Sequence, residues 1–132
     1  MTQQIDVVAA VIIRDGAVLC AQRGPDGHLP GLWEFPGGKV EAGETPRQAL
    51  AREIDEELGC QVDVGDRIIS TTHEYNFGVV TLTTFYCRLV SGLPHPAEHS
   101  EIVWLAPADF DTLPWAPADL PAVKAIQARF AS

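Results

Sequence analysis

Residues 38–60 read GKVEAGETPRQALAREIDEELGC, and this stretch decides the fold. Thr45 is a natural helix cap, Pro46 suits the first helical position, and Gln48 stands where a capping box needs its reciprocal partner. Gly59 offers a left-handed stop. Between them Leu50, Ile54 and Leu58 recur every fourth residue, so the spacing predicts a helix from Thr45 to Gly59 with one buried stripe. At ~100° per residue, Glu53 and Glu57 lie about 40° apart, with Glu56 about 60° from Glu53 on the other side. Like charges so spaced destabilise a helix, and the C-terminal end of its dipole disfavours anions. Two readings account for them: an exposed acidic face partly neutralised by Arg52, or a site for a hard cation such as Mg²⁺ or Mn²⁺.

Working outward, the segment Ile5 to Arg14 is rich in β-branched residues, and Asp15-Gly16 is a hairpin turn leading into a second strand that ends at Arg23. A Gly/Pro-rich loop spans 24–31, followed by the short apolar run Leu-Trp-Glu-Phe-Pro-Gly-Gly at 32–38. Beyond the helix, strands are expected over Arg67–Tyr75 and Val79–Val90, joined by Asn76-Phe77-Gly78. Ser91 to Ser100 reads as a polar loop, Glu101 to Leu105 as a short strand, and Ala118 to Phe130 as a second amphipathic helix. The order strands, helix, strands, helix implies an α/β (α+β) protein, a mixed sheet with helices on its faces.

The 132 residues suit a single domain, 1–132, and 46% hydrophobic content is ample for a core. Net charge is −9, with 18 acids against 9 bases, which argues against binding nucleic acid or an anionic membrane. Three cysteines, none in a CxxC pair, exclude a disulfide framework and argue against a zinc knuckle. With neither a basic patch nor a signal-type apolar run at the start, a cytoplasmic protein is expected. His28, His73, His95 and His99 are scattered and read as ordinary surface or loop histidines.

Gly38, Glu44 and the run Arg52-Glu53-Ile54-Asp55-Glu56-Glu57-Leu58-Gly59-Cys60 match the spacing GX5EX7REUXEEXGU, with U a bulky apolar residue. The chain thus resembles the Nudix hydrolases, with its box at 38–60, and the flanks Trp33–Lys39 and Gly43–Pro46 resemble the MutT-type branch. That resemblance implies a Nudix fold, a mixed curved sheet between helices. It makes Glu53, Glu56, Glu57 and the Gly38 carbonyl the ligands of Mg²⁺, or of Mn²⁺ in its place. Arg52 would orient the carboxylates and Glu44 would steady the loop. Glu98, or failing it Glu101, would be a late acid serving as ligand or base; Glu53 and Glu56 are the other choices of base.

The implied reaction is attack of water on the β-phosphorus of a nucleoside triphosphate, releasing the monophosphate and pyrophosphate. Arg23 would contact phosphate or base and Lys39 a phosphate, while Phe35 and Trp115 would stack on the base. The segment Pro114–Asp119 resembles the base-reading segment of the branch. An ionised Asp119 only accepts hydrogen bonds and suits an exocyclic amine, as in cytosine nucleotides; a protonated one admits 8-oxo-dGTP. Alternatively, Asp119 caps the last helix. The rival functions are hydrolysis of a nucleoside diphosphate linked to another group and a non-catalytic nucleotide-binding module. Monomer and homodimer are both compatible with the sequence.

Overall fold

A computed structural model describes residues 3–97 and 99–131. Glu98, the late acid singled out above, lies outside the described residues.

The strands are β1 (Gln4–Arg14), β2 (Ala17–Gln22), β3 (Trp33–Glu34), β4 (Gly37–Lys39), β5 (Gln61–Tyr75), β6 (Gly78–Ser91) and β7 (Glu101–Leu105). Helix α1 spans Pro46–Leu58 and α2 spans Leu120–Arg129. Among the described residues the strands form one mixed sheet in the order β3-β2-β1-β6-β5, with β4 added to β1 and β7 to β2. β1 runs parallel to β6 from Gln4 opposite Val79 to Ile13 opposite Arg88. Its other edge is shared, with β4 alongside Val7–Ala9 and β2 alongside Ile13–Arg14.

Being paired on both edges and covered on both faces, β1 is almost uniformly apolar at its centre, where Val8 to Ile12 are buried. Its side chains alternate between two cores. Val8, Ala10 and Ile12 pack with Leu50, Ile54 and Leu58 of α1, and Ala9 and Val11 pack with Phe110, Val123 and Ile126 on the α2 side. Burying the three α1 side chains stabilises the fold by roughly 1.5–3 kcal/mol each. The helix is therefore fastened to the sheet along the stripe that adjoins its acids.

Both ends of α1 are closed as its sequence predicts. Thr45 accepts from the Gln48 backbone N–H while the Gln48 side chain accepts from the Thr45 N–H, and Gly59 adopts the left-handed conformation at φ 69°. Three features differ from expectation. β5 begins at Gln61 rather than Arg67, because it stays paired with β6 through register shifts between Val64 and Ile69. Two 3-10 turns, Pro107–Thr112 and Pro117–Asp119, precede α2, which starts two residues later than expected. Cys20, Cys60 and Cys87 are buried free thiols.

Removing the cap with Thr45→Ala is expected to cost about 1 kcal/mol. Thermal unfolding should register this as a fall in Tm of about 3 °C, with Thr45→Ser retaining most of it. An unchanged Tm in Thr45→Ala would show that α1 is held by its buried stripe alone.

Candidate active site

Arg52 organises the acids. Its Nε and Nη2 donate to the two Glu44 carboxylate oxygens at 2.6 and 2.9 Å. Its Nη1 donates to Glu53 Oε1 at 2.8 Å and Glu56 Oε2 at 3.2 Å, and its Nη2 also reaches the Lys39 carbonyl at 3.1 Å. One planar fork thus joins the loop before α1 to two acids on the helix, which a lysine could not do. Glu44 additionally accepts from the Glu41 N–H at 3.0 Å. Hydrogen bonding from Arg52 and Glu41 pushes the Glu44 carboxyl down to about 2, and the same pairing raises the Arg52 pKa.

Gly38 lies directly against Glu53: a Cβ at this position would overlap the Glu53 carboxylate. The neighbouring Gly37 is equally confined, since its Cβ would collide with the Val8 carbonyl. Arg52 holds one oxygen each of Glu53 and Glu56, so the second oxygen of each carboxylate carries no Arg52 bond. Among the described residues no trio of acidic, histidine or cysteine side chains is already gathered as a cation cage. The donor set nevertheless fits a hard divalent cation, being all oxygen, concentrated on one rigid helix and backed by a glycine that admits close approach.

A cleft of about 550 Å³ connects this region to a second group of side chains. Gly38, Lys39 and half-buried Glu57 line it, and so do Arg23, Glu34 and Asp119. Arg23 donates from Nη1 to Glu34 Oε1 at 2.7 Å and from Nε to the His28 carbonyl at 2.6 Å. Both directed bonds face the 24–31 loop and β3, so Arg23 is built into the cleft wall. Asp119 is buried, and its Oδ1 accepts from the Phe35 N–H at 3.1 Å. Burial, reinforced by the charge of Glu34, pushes the Asp119 carboxyl well above the usual carboxylate range. Its side chain makes no capping bond to α2.

Phe35 is buried at the cleft wall, whereas Trp115 lies outside the lining, packed on Phe35 and Phe110 with its indole N–H donating to the Phe110 carbonyl. Besides Phe35, the lining carries Tyr75 and Phe77, stacked at 5.0 Å, with His28 stacked on Phe77 at 3.9 Å. Tyr75 also accepts from the Ala118 N–H at 2.8 Å, which ties β5 to the residue preceding Asp119.

His99, read from sequence as a loop histidine, is only 6% exposed and hydrogen-bonds Glu34 Oε2 through Nε2 at 2.9 Å. Among the cleft residues that sequence reasoning passed over are Glu34, Tyr75, Phe77 and His99. Glu34 stood inside the quoted Trp33–Lys39 flank, whereas nothing local marks the other three. Glu101 sits in β7 opposite Gln22 with its side chain exposed. No helix among the described residues is long and apolar enough to cross a membrane.

Residues 7–125 match the family model described as NUDIX domain. The CTP pyrophosphohydrolase of Escherichia coli strain K12 is 42% identical over 126 residues, covering 96% of this chain and 93% of that protein. The 8-oxo-dGTP diphosphatase of Haemophilus influenzae is 34% identical over 121 residues, covering 90% and 89%. Among solved structures, the DNA mismatch repair protein MutT of methicillin-resistant Staphylococcus aureus 252, described as a Nudix hydrolase, superposes with a TM-score of 0.81. It is 52% identical, and the match covers 98% of this chain and 99% of that one.

The Glu44–Arg52 pairing has a pH signature. Because the folded-state carboxyl is held near 2 against an ordinary 4.5, ionised Glu44 favours the fold above pH 4.5, and that contribution is lost as the pH falls towards 2. In metal-free buffer the Tm gap between wild type and Glu44→Gln should be constant near neutrality and close between pH 4.5 and 2. A gap that persists to pH 2 would break the ion-pair account.

Proposed function

The chain belongs to the NUDIX family and is a hydrolase of phosphoanhydride bonds, and from that premise we propose a magnesium-dependent nucleoside triphosphate pyrophosphohydrolase that cleanses the nucleotide pool. The observation carrying this reading is that one cleft holds both Gly38, Lys39 and Glu57 and the buried Asp119. A triphosphate and a base are thereby given separate partners within one cavity. Three buried free thiols suit a cytoplasmic enzyme, and a net charge of −9 suits free nucleotides over nucleic acid.

In this reading Glu53, Glu56, Glu57 and the Gly38 carbonyl hold the divalent cation, with manganese able to replace magnesium. The bound cation supplies charge neutralisation for the phosphate oxygens. Arg52 keeps Glu53 and Glu56 aligned, and the exposed Lys39 ammonium meets a phosphate oxygen. Glu53, Glu56 or Glu98 takes a proton from water as its oxygen bonds to the β-phosphorus. The bridging oxygen leaves with the α-phosphate, giving a nucleoside monophosphate and pyrophosphate.

Burial of Asp119 bears on which base is bound. A neutral carboxyl presents an O–H donor beside a carbonyl acceptor. That pair complements ring N3 and the 4-amino group of cytosine. It equally complements O6 and the N7–H of 8-oxoguanine, whereas ordinary guanine offers two acceptors there. One side chain therefore serves the substrates in both relatives' names. Cytosine nucleotides lead in view of the 42% identical relative, and 8-oxo-dGTP is the second reading.

Pyrophosphate release measured with Mg²⁺ over CTP, dCTP, 5-methyl-dCTP, dGTP, 8-oxo-dGTP and ADP-ribose tests the proposal. Turnover of ADP-ribose alone would sink it. Glu57→Gln should lower kcat by about 100-fold or more with Tm held or raised, because a ligand and a like charge are lost together. A collapsed Tm would make Glu57 structural.

Asp119→Asn preserves the donor–acceptor pair and should keep kcat/KM for dCTP within about tenfold, whereas Asp119→Ala should lose about 100-fold. Equal loss in both variants would show that the ionised form is the one that binds.

A further inference from the structure

The His99 side chain is 6% exposed, and its Nδ1 is buried with no hydrogen-bond partner among the described residues. Leaving a polar atom so placed costs about 1–3 kcal/mol, and native exceptions call for an explanation. The ring cannot turn to relieve it. Nε2 is held by Glu34 Oε2 at 2.9 Å, Glu34 Oε1 is held by Arg23 Nη1 at 2.7 Å, and Arg23 Nε is held by the His28 carbonyl at 2.6 Å. The chain carrying His99 is anchored as well, with the Ser100 N–H donating to the Gln22 carbonyl and the His95 N–H to the Leu58 carbonyl. Three segments of the fold thus fix the imidazole in place, and His99 lines the same cleft as Asp119.

The Nε2–Glu34 bond selects the tautomer with its proton on Nε2, and in that tautomer Nδ1 is an acceptor. The oxygens of a triphosphate also only accept, so they are no match for it. The groups of a nucleotide that can donate are the amino or imino groups of its base and the hydroxyls of its sugar.

We propose that His99 is a specificity-determining residue whose Nδ1 accepts a hydrogen bond from an N–H or O–H of the nucleoside. This rests on the nucleotide-hydrolase reading above and adds a contact that discriminates substrates by what they donate. The Glu34–Arg23 pair acts through His99 as its positioning support, fixing the angle at which Nδ1 meets the substrate.

The test compares kcat/KM for CTP, dCTP, dCTP lacking the 3′-hydroxyl and dCTP lacking the 4-amino group, in wild type and in His99→Phe. In wild type, removing the donor that His99 receives should cost roughly tenfold, the worth of one hydrogen bond. In His99→Phe the same removal should cost about tenfold less than in wild type, since the share of the 4-amino group bound by Asp119 is common to both proteins, and the substrate pair that shows the difference identifies base or sugar as the source. If every removal costs the same in both proteins, the proposal is overturned.

Should His99→Phe fail to fold, ¹⁵N NMR of the wild-type imidazole decides. The Nδ1 resonance should shift on saturation with the α,β-methylene analogue of dCTP, and an unmoved resonance under saturation overturns the contact. Wild type that hydrolyses no triphosphate defeats the hydrolase reading, and the NMR titration still judges His99 separately.

Discussion

Concentrating negative charge at the end of a helix is the constraint to which the rest of this molecule answers. Glu53, Glu56 and Glu57 oppose one another and the helix dipole. The fold opposes that repulsion with a single guanidinium, bonded to Glu44 through two nitrogens and to Glu53 and Glu56 through the third. Because Arg52 also takes the Lys39 carbonyl, the loop beside Gly38 is drawn against the helix, and glycine is required where backbone and Glu53 carboxylate meet. Residues 93–97 finish the arrangement: N–H groups of His95 and Ala97 donate to the Leu58 and Glu57 carbonyls, filling positions that a helix end leaves open. Repulsion, clamp and cover together place Glu57 in the cleft wall and hold Glu53 and the more exposed Glu56 on Arg52 beside it.

Much of this was legible in the sequence, because it is local. The capping box, the Leu50/Ile54/Leu58 stripe and the shared arc of the acids all follow from periodicity within fifteen residues, and the structure reproduces them. The partnership of Gly38 with Glu53 crosses fifteen residues and two elements, and only the resemblance to a family motif pointed to it. The other half of the cleft is assembled from residues 23, 34, 75, 77, 99 and 119, which no helical or strand period relates. A lone histidine in a polar loop carries no sign that a β3 carboxylate will bury it. Asp119 is similar: its identity was readable, but its seclusion came from the Phe35 amide, 84 positions away. The late start assigned to β5 has a plainer cause. Gly65 and the register shifts around it disguise a strand that persists because β6 pairs with it.

Two kinds of rigidity meet in the cleft. Carboxylates on α1 are located by helix geometry and by packing onto β1, whereas the side of the cleft that carries Glu34 and Asp119 is located by hydrogen bonds that cross between elements. The side chains that make these cross-links are distinct from those that fasten α1 to the sheet. The stacked rings of Tyr75, Phe77 and His28 extend the wall with surface suited to a flat ligand.

The parallel pairing of β1 with β6 has a consequence for how the protein is born. Gln4 meets Val79 and Ile13 meets Arg88, so each contact closes a loop of 75 residues, a topology that folds slowly. On the ribosome, β1, apolar from Val7 to Ile13, must wait with an open edge until the ninth decade of residues has left the exit tunnel. The inner face of α1 needs Phe85 and Cys87 of β6 to complete its packing. The acid-bearing helix therefore docks late in synthesis, and the nascent protein is catalytically inert and vulnerable to self-association until β6 arrives.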